Sequence, residues 1–253
     1  MKGKRIMPYE SMLAETVNLH AHQNDLIDAY LARPMGGGPY PGVVVIHHMP
    51  GWDEATKEIA RKFAYHGYVA ISPNLHFREG KATPAENASS VMASGGMPDD
   101  RTMGDVKGAI EYLRTLPYHN GKVGIIGYCS GGRQVYLAAC TVPGIDAAVD
   151  CYGGNVIMQP KQITERQPVA PIDYTKDLQC PLLGLFGKED QNPSPEMVAK
   201  IEEELKKWGK TYEFHSYDNA GHGFFMVDYP VYRVAAANDG WKRIFEWYEK
   251  YLY

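Results

Sequence analysis

The residue of this chain best suited to nucleophilic chemistry is Cys129, in the run GYCSGG over residues 127–132. The run follows a short apolar stretch that predicts a strand and precedes a helical pattern beginning near Gln134. A G-x-C-x-G between a strand and a helix is the cysteine form of the sharp turn that exposes a nucleophile. The free N–H groups of the following helix would favour the thiolate. A glycine-rich turn around a buried cysteine is the alternative interpretation.

A cysteine nucleophile needs a base to take its proton and a carboxylate to orient that base. Asp190 follows one predicted strand, and His222 lies between two glycines after another. Nucleophile, acid and histidine in that chain order are typical of this kind of site, so we predict Cys129, Asp190 and His222 as a catalytic triad. His119 is the rival base and Glu189 the rival orienting group. A turn aspartate and an ordinary loop histidine are the non-catalytic alternatives.

Acyl transfer also requires N–H donors for the oxyanion that forms when a carbonyl is attacked. The backbone amide of Ser130, directly after the nucleophile, is one predicted donor. Met49, in the loop after the apolar stretch 43–46, is predicted to supply the second amide. The Ser130 side chain is a poor candidate nucleophile, because that frame puts Tyr128 where the leading glycine is needed.

Predicted strands alternate with predicted helices, which indicates an α/β fold with a mostly parallel twisted sheet and helices on both faces. Strands are expected at 43–46, 68–72, 122–126, 147–152, 181–186 and 212–217, and helices at 54–66, 102–116, 195–208 and 235–251. Residues 15–22 and 25–32 predict an N-terminal antiparallel hairpin at the sheet edge. Residues 73–100 and 153–179 show little periodicity, and the first of these stretches predicts a lid.

The 253 residues suffice for one large domain, expected at 15–253, with residues 1–14 as an N-terminal extension. A net charge of −4 argues against nucleic acid or acidic membranes as partners. No stretch has the length of a membrane span, and no secretory signal is expected. Four cysteines without a C-x-x-C pair favour a cytoplasmic protein without disulfides or a metal. The sequence is compatible with a homo-oligomer and does not decide the oligomeric state.

Four spaced motifs make the chain similar to the dienelactone hydrolase family (carboxymethylenebutenolidases) of the α/β-hydrolase fold. They are PYHNGKVG at 117–124, GYCSGG at 127–132, GKED at 187–190 and AGHGF at 220–224. The resemblance covers nearly the whole chain after about Glu15. It implies the α/β-hydrolase fold and a hydrolase of small-molecule activated esters or lactones that needs no cofactor. It also implies the same triad and the same two oxyanion-hole amides.

Three further residues enter through the resemblance as substrate-binding candidates. Arg78 matches an arginine that binds a substrate carboxylate, although a solvated arginine paired with Glu79 is the alternative. Met226 stands where the family has a second arginine, and His48 stands where a glutamate pairs with the resting thiol. We therefore expect a pocket that depends less on a negative charge on the substrate. His48 would hold the thiolate, bind substrate or face elsewhere, and a metal site at His47 and His48 is not expected.

Together these observations predict hydrolysis through an acyl-thioester intermediate, which water then cleaves to release the acid. A thiol sensor or ligand-binding protein is one alternative, because a low-pKa thiolate would serve it equally. A sensor needs neither water activation nor tautomer control, so the histidine and carboxylate argue against it. An acyl transferase or an isomerase on the same scaffold is the other alternative.

Overall fold

The structure is a computed structural model that describes residues 11–80 and 82–253. Over these residues the chain forms an eight-stranded sheet flanked by six α-helices. The strands are β1 (Met12–His20), β2 (Leu26–Pro34), β3 (Tyr40–Ile46), β4 (Val69–Pro73), β5 (His119–Tyr128), β6 (Ala147–Cys151), β7 (Leu182–Gly187) and β8 (Tyr212–Tyr217). The helices are α1 (Glu54–Tyr65), α2 (Pro84–Ala93), α3 (Asp99–Thr115), α4 (Ser130–Thr141), α5 (Pro195–Lys207) and α6 (Val234–Leu252).

The strands lie in the order β1-β2-β4-β3-β5-β6-β7-β8. Pairing is parallel from β4 through β8, whereas β1 with β2 and β2 with β4 are antiparallel. The predicted α/β fold, with its mostly parallel sheet and antiparallel N-terminal hairpin, is confirmed. Because the parallel strands point the same way, the loops after β3, β5, β7 and β8 meet at one edge of the sheet.

The core lies on both faces of the sheet. Neighbouring residues of the central strands, such as Val43 and Val44 or Ile125 and Ile126, belong to opposite apolar layers. One layer includes residues of α3, α4 and α5, and the other includes residues of α1 and α6. Side chains alternate between faces along a strand, so a strand covered on both sides must be apolar throughout. This explains the unbroken apolar runs of the sequence.

The stretch 73–100 differs from the expectation of little regular structure, because it contains α2. A capping box of Thr83 and Glu86 satisfies the first turn of that helix, and Pro84 occupies a first-turn position. These start signals are local, whereas only Ala88 and Val91 of the helix are buried. Apolar periodicity is therefore weak in α2, and a search for periodicity misses it.

The N-terminal hairpin begins earlier than predicted, since β1 starts at Met12, inside the expected extension 1–14. Residues 1–10 of that extension lie outside the described residues. The turn of the hairpin includes Gln23 and Asn24, both with positive φ. Within the described part of the chain, no helix combines the length and the apolar character that crossing a membrane would require.

Candidate active site

The predicted nucleophile, Cys129, lies between the end of β5 and the start of α4, with φ 57° and ψ −120°. This backbone conformation is strained for a residue other than glycine, and such strain is concentrated at functional sites. A Cβ at Gly127 would lie 2.2 Å from the Gly131 carbonyl oxygen, and one at Gly131 would lie 2.5 Å from the Ile46 oxygen. Close backbone approaches on both sides therefore hold the cysteine at the turn.

The structure brings Cys129, His222 and Asp190 together, with His222 in the middle and in contact with both of the others. His222 Nδ1 lies 2.8 Å from Asp190 Oδ2, and the His222 side chain is hydrogen-bonded to the Cys129 sulfur. Asp190 is buried, whereas the His222 side chain is 38% exposed. The two rivals are elsewhere: His119 begins β5, at the opposite end from the nucleophile, and Glu189 makes backbone contacts beside Asp190.

The electrostatics of this arrangement favour a thiolate and an imidazolium. Burial raises the pKa of the Cys129 thiol, but His222 and the amides of Ser130 and Met49 outweigh burial and hold that pKa below its usual value. Burial lowers the pKa of His222, but Asp190 and Cys129 outweigh it and raise the pKa to about 10. Both pKa directions therefore favour the ion pair of thiolate and imidazolium over the neutral pair.

The two predicted oxyanion donors lie beside the sulfur. The backbone amides of Ser130 and Met49 both donate toward the Cys129 sulfur. Ser130 is the first residue of α4, so its N–H has no partner within the helix. Met49 follows β3, the strand next to β5 in the sheet. These donors would stabilise a negative charge on the sulfur, and an oxyanion formed on a carbon bonded to the sulfur would lie within their reach.

The other three cysteines differ sharply from Cys129. Cys140, Cys151 and Cys180 are buried, and burial raises their pKa values, to about 12 for Cys140 and Cys180. They therefore stay protonated and inert. Within the described residues no group of three or more His, Cys, Asp or Glu side chains is arranged to hold a metal ion.

A large cavity of about 640 Å³ opens above the triad. Its floor includes Cys129, Ser130 and His222, and its walls come from the segments between β4 and α3 and between β6 and β7. We call these walls the cap; the first cap segment consists of the described residues 74–80 and 82–98, and the second is 153–181. Carboxamides are common in the lining, together with one exposed amine: Gln134, Asn155, Gln162, Gln167, Gln191, Asn192 and Lys161. The segment predicted as a lid thus forms part of a cavity wall.

A second, small cavity of about 180 Å³ also contacts Cys129 and His222, from their other side. It is lined by His48, Pro50, Cys129, Tyr152, His222, Gly223, Met226, Tyr229 and Val231. None of these described residues is a lysine, arginine, aspartate or glutamate. The structure therefore places the predicted substrate-binding residue Met226 beside the nucleophile, in apolar surroundings.

The structure places Arg78 away from both cavities, which corrects its expected role in holding a substrate carboxylate. Its guanidinium donates to Asp105 at 2.9 and 3.1 Å and to Asp25 at 2.6 Å. Asp105 is fully buried, so the arginine compensates a carboxylate inside the protein. The alternative partner Glu79 is also wrong, because Glu79 pairs with Arg101. Nothing in the sequence near Arg78 shows that aspartates from other elements reach it.

His48 does reach the site, but one of its ring nitrogens is already engaged. Its Nε2 lies 2.6 Å from Asp53 Oδ2, while the ring lines the small cavity. His47 lines the large cavity instead: its ring bonds the His48 carbonyl oxygen and the Leu75 amide, and burial lowers its pKa to about 3. The adjacent histidines thus serve different surroundings, as strand alternation predicts.

Tyr152 is a site residue that the sequence analysis missed. It follows β6 with φ 44°, and its ring lies 5.1 Å from the His222 ring. The ring is buried and forms part of the small cavity. Its position at the carboxyl end of a strand, directly before Gly153 and Gly154, is the signal that could have identified it.

Comparisons with known proteins agree with this geometry. Residues 27–252 match the model of the family described as "Dienelactone hydrolase family". "Putative carboxymethylenebutenolidase" of Methylorubrum extorquens is 34% identical, covering 90% of this chain and 78% of that one. The Escherichia coli K12 protein of the same name is 33% identical, covering 90% and 84%. The crystal structure of "Putative Dienelactone Hydrolase from Klebsiella pneumoniae" superposes with a TM-score of 0.87 at 28% identity, covering 96% of this chain and all of that one.

The family match spans most of the chain, and the fold, strand order and spaced motifs agree with it. The chain therefore belongs to the dienelactone hydrolase family of α/β-hydrolases and is a hydrolase of lactones or esters.

Proposed function

We propose that the chain hydrolyses activated esters or lactones with Cys129 as the nucleophile and an acyl-thioester as the intermediate. The observation that supports this most is the hydrogen-bonded series Cys129, His222 and Asp190 beside two cavities. A sensor thiol would need a low pKa, but it would have no use for a carboxylate that fixes the imidazole tautomer.

In the first half of the reaction the Cys129 thiolate attacks the substrate carbonyl carbon. The oxygen of that carbonyl gains negative charge and is stabilised by the amides of Ser130 and Met49, each worth about 3 kcal/mol in comparable sites. His222, protonated in the resting pair, then gives its proton to the leaving oxygen as the carbon–oxygen bond breaks. The product of this half-reaction is an acyl-thioester on the cysteine.

In the second half, His222 is neutral and acts as a general base toward water. Hydroxide attacks the thioester, the same two amides stabilise the second oxyanion, and the thiolate leaves with the imidazolium restored beside it. Asp190 keeps Nδ1 protonated throughout, so Nε2 always faces the reacting atoms. Thiolates are good leaving groups, so activated esters and enol lactones suit this nucleophile better than amides.

Trapping the acyl-enzyme tests the proposal. We expect p-nitrophenyl acetate to release a burst of nitrophenolate, with an acetyl group found on the peptide that contains Cys129 after an acid quench. A Cys180→Ala variant should keep the burst, since Cys180 is buried away from the cavities. Turnover without a burst and without a labelled cysteine would rule out this covalent route.

A further inference from the structure

The small cavity is distinguished from the large one by which catalytic groups it contacts. Both cavities touch Cys129 and His222, but the oxyanion donors Ser130 and Met49 line only the large one. Most of the small cavity's wall is built around the histidine instead, by Tyr152 and the loop that follows His222. The catalytic pair therefore separates two compartments of different chemistry.

A tetrahedral intermediate on Cys129 has three other substituents to place: the oxyanion, the acyl chain and the alcohol oxygen. The oxyanion lies at the amides of Ser130 and Met49, at the floor of the large cavity. The alcohol oxygen must face His222, which protonates it. Because most of the small cavity is built around His222, we place the alcohol there. The large cavity is then left for the acyl chain.

The walls of the small cavity indicate the kind of alcohol that fits. Met226, Tyr229, Val231 and Pro50 make most of it apolar, and the described lining residues include no lysine or arginine. Its two histidines already have carboxylate partners, Asp53 for His48 and Asp190 for His222, so neither is free to pair with a further anion. Its volume of about 180 Å³ exceeds the roughly 150 Å³ of an apolar cavity known to hold benzene. Tyr229 and Val231 are 46% and 41% exposed, so the rim is open to solvent.

We propose that this small cavity is the leaving-group subsite and that it selects esters whose alcohol is uncharged, apolar and about the size of one aromatic ring. The assignment rests on the proposed esterase reaction. In that reaction the sulfur–carbon bond forms, the carbon–oxygen bond breaks, and the imidazolium proton leaves with the alcohol. Water then enters through the vacated rim and reaches His222, where it is activated for the second half-reaction.

Three esters of similar leaving ability test which half of the substrate this cavity holds. Phenyl acetate carries no charge, 3-carboxyphenyl acetate carries a carboxylate on the alcohol, and monophenyl succinate carries one on the acyl chain. We expect wild-type kcat/KM to favour phenyl acetate over 3-carboxyphenyl acetate by about tenfold, because a carboxylate is costly to bury in an apolar site without a partner.

A cation at the rim should weaken that preference for the ester charged on its alcohol and leave the ester charged on its acyl chain unaffected. We expect Val231→Arg to narrow the ratio between phenyl acetate and 3-carboxyphenyl acetate at least fivefold, while the ratio between phenyl acetate and monophenyl succinate stays within twofold of wild type. Val231 is partly exposed, so arginine is tolerated there. Val234→Arg is the matched control: it adds the same charge three residues away, at a 60% exposed position, and should change neither ratio.

Two results would overturn the assignment alone. One is a Val231→Arg effect on the succinate ratio instead of the carboxyphenyl ratio, which would place the acyl chain in the small cavity. The other is an equal response of both ratios, or of neither, in an enzyme that hydrolyses phenyl acetate. If wild type releases phenol from none of the three esters, the proposed esterase reaction fails, and this assignment with it.

Discussion

The strand ends that carry the proposed catalytic groups and the cap that covers them are held in place by different kinds of contact. At the turn around Cys129, backbone atoms approach so closely that a Cβ at Gly127 or Gly131 would overlap a carbonyl group. The two cap segments instead meet through three side-chain hydrogen bonds to backbone oxygens, between residues about 70 positions apart. Thr164 Oγ1 donates to the Gly95 oxygen at 2.8 Å, and Gln167 Nε2 donates to the Met97 oxygen at 3.2 Å.

A backbone that is in van der Waals contact on both sides cannot adopt another arrangement without a clash. A hydrogen bond, in contrast, can be exchanged for a bond to water at a small net cost in free energy. The contrast implies that substitutions at the strand ends act on chemistry in an all-or-none way, while substitutions in the cap act in small steps on access and local opening. Four predictions test that division.

The largest expected effect follows from removing the nucleophile. We expect Cys129→Ala to reduce kcat/KM for p-nitrophenyl acetate by at least about 10³-fold, as loss of a covalent nucleophile does in comparable triads. The melting temperature and circular dichroism spectrum should stay close to wild type, since the alanine side chain is smaller and the backbone is unchanged. Residual activity within tenfold of wild type would contradict covalent catalysis by this residue.

The next effect concerns stability at the root of the cap. Arg78→Met leaves the buried Asp105 without its main compensating charge, so we expect the free energy of unfolding in urea to fall by about 3 kcal/mol. Arg61→Met is the control, because Arg61 pairs with the exposed Glu54, and it should cost under about 1 kcal/mol. A raised KM with unchanged stability would instead return Arg78 to the role of a substrate ligand.

The third effect is on the pH dependence of thiol reactivity. His222 lowers the pKa of Cys129, so in His222→Gln the raising effect of burial dominates and less thiolate exists at neutral pH. We expect the rate of alkylation by iodoacetamide at pH 7 to drop at least about tenfold, and the alkylation profile to shift to higher pH. His215→Gln should leave the profile unchanged, and mass spectrometry should find the adduct on Cys129. A wild-type profile in His222→Gln would exclude the ion pair.

The smallest effect is expected in the cap. Thr164→Val removes the hydroxyl that donates to Gly95 and accepts from the Gln167 amide. We expect hydrogen exchange of residues 94–98 to speed up by about five- to tenfold, corresponding to about 1 kcal/mol of local opening, with kcat within twofold of wild type. Thr141→Val removes a hydroxyl bonded within α4 and should not change exchange in the cap. A loss of activity as large as that of Cys129→Ala would show that the cap is part of the chemistry.

The signals that indicate the base of the site are local in the sequence. Glycines on either side of Cys129, Asp190 after a strand and His222 between glycines are each visible within a few residues, and parallel strand ends must meet at one edge. The structure brings these three side chains together as predicted.

The cap and its anchors were harder to predict because their partners are distant in sequence. Arg78 was expected at a substrate carboxylate, but aspartates from the hairpin turn and from α3 reach it first. Helix α2 has too few buried residues to show periodicity. The two cavities depend on the relative placement of loops that no local pattern encodes, and the position of Tyr152 on His222 belongs to the same class of non-local information.

The left-handed backbone at Cys129 has a consequence for how this chain could change over generations. Only glycine adopts that conformation without cost, so every working copy carries a penalty of roughly 1 kcal/mol for keeping a side chain there. A lineage no longer under selection for the reaction would gain stability by exchanging that one cysteine for glycine. A glycine at this position, in a relative that is otherwise intact, would mark a descendant that gave up turnover and kept the scaffold.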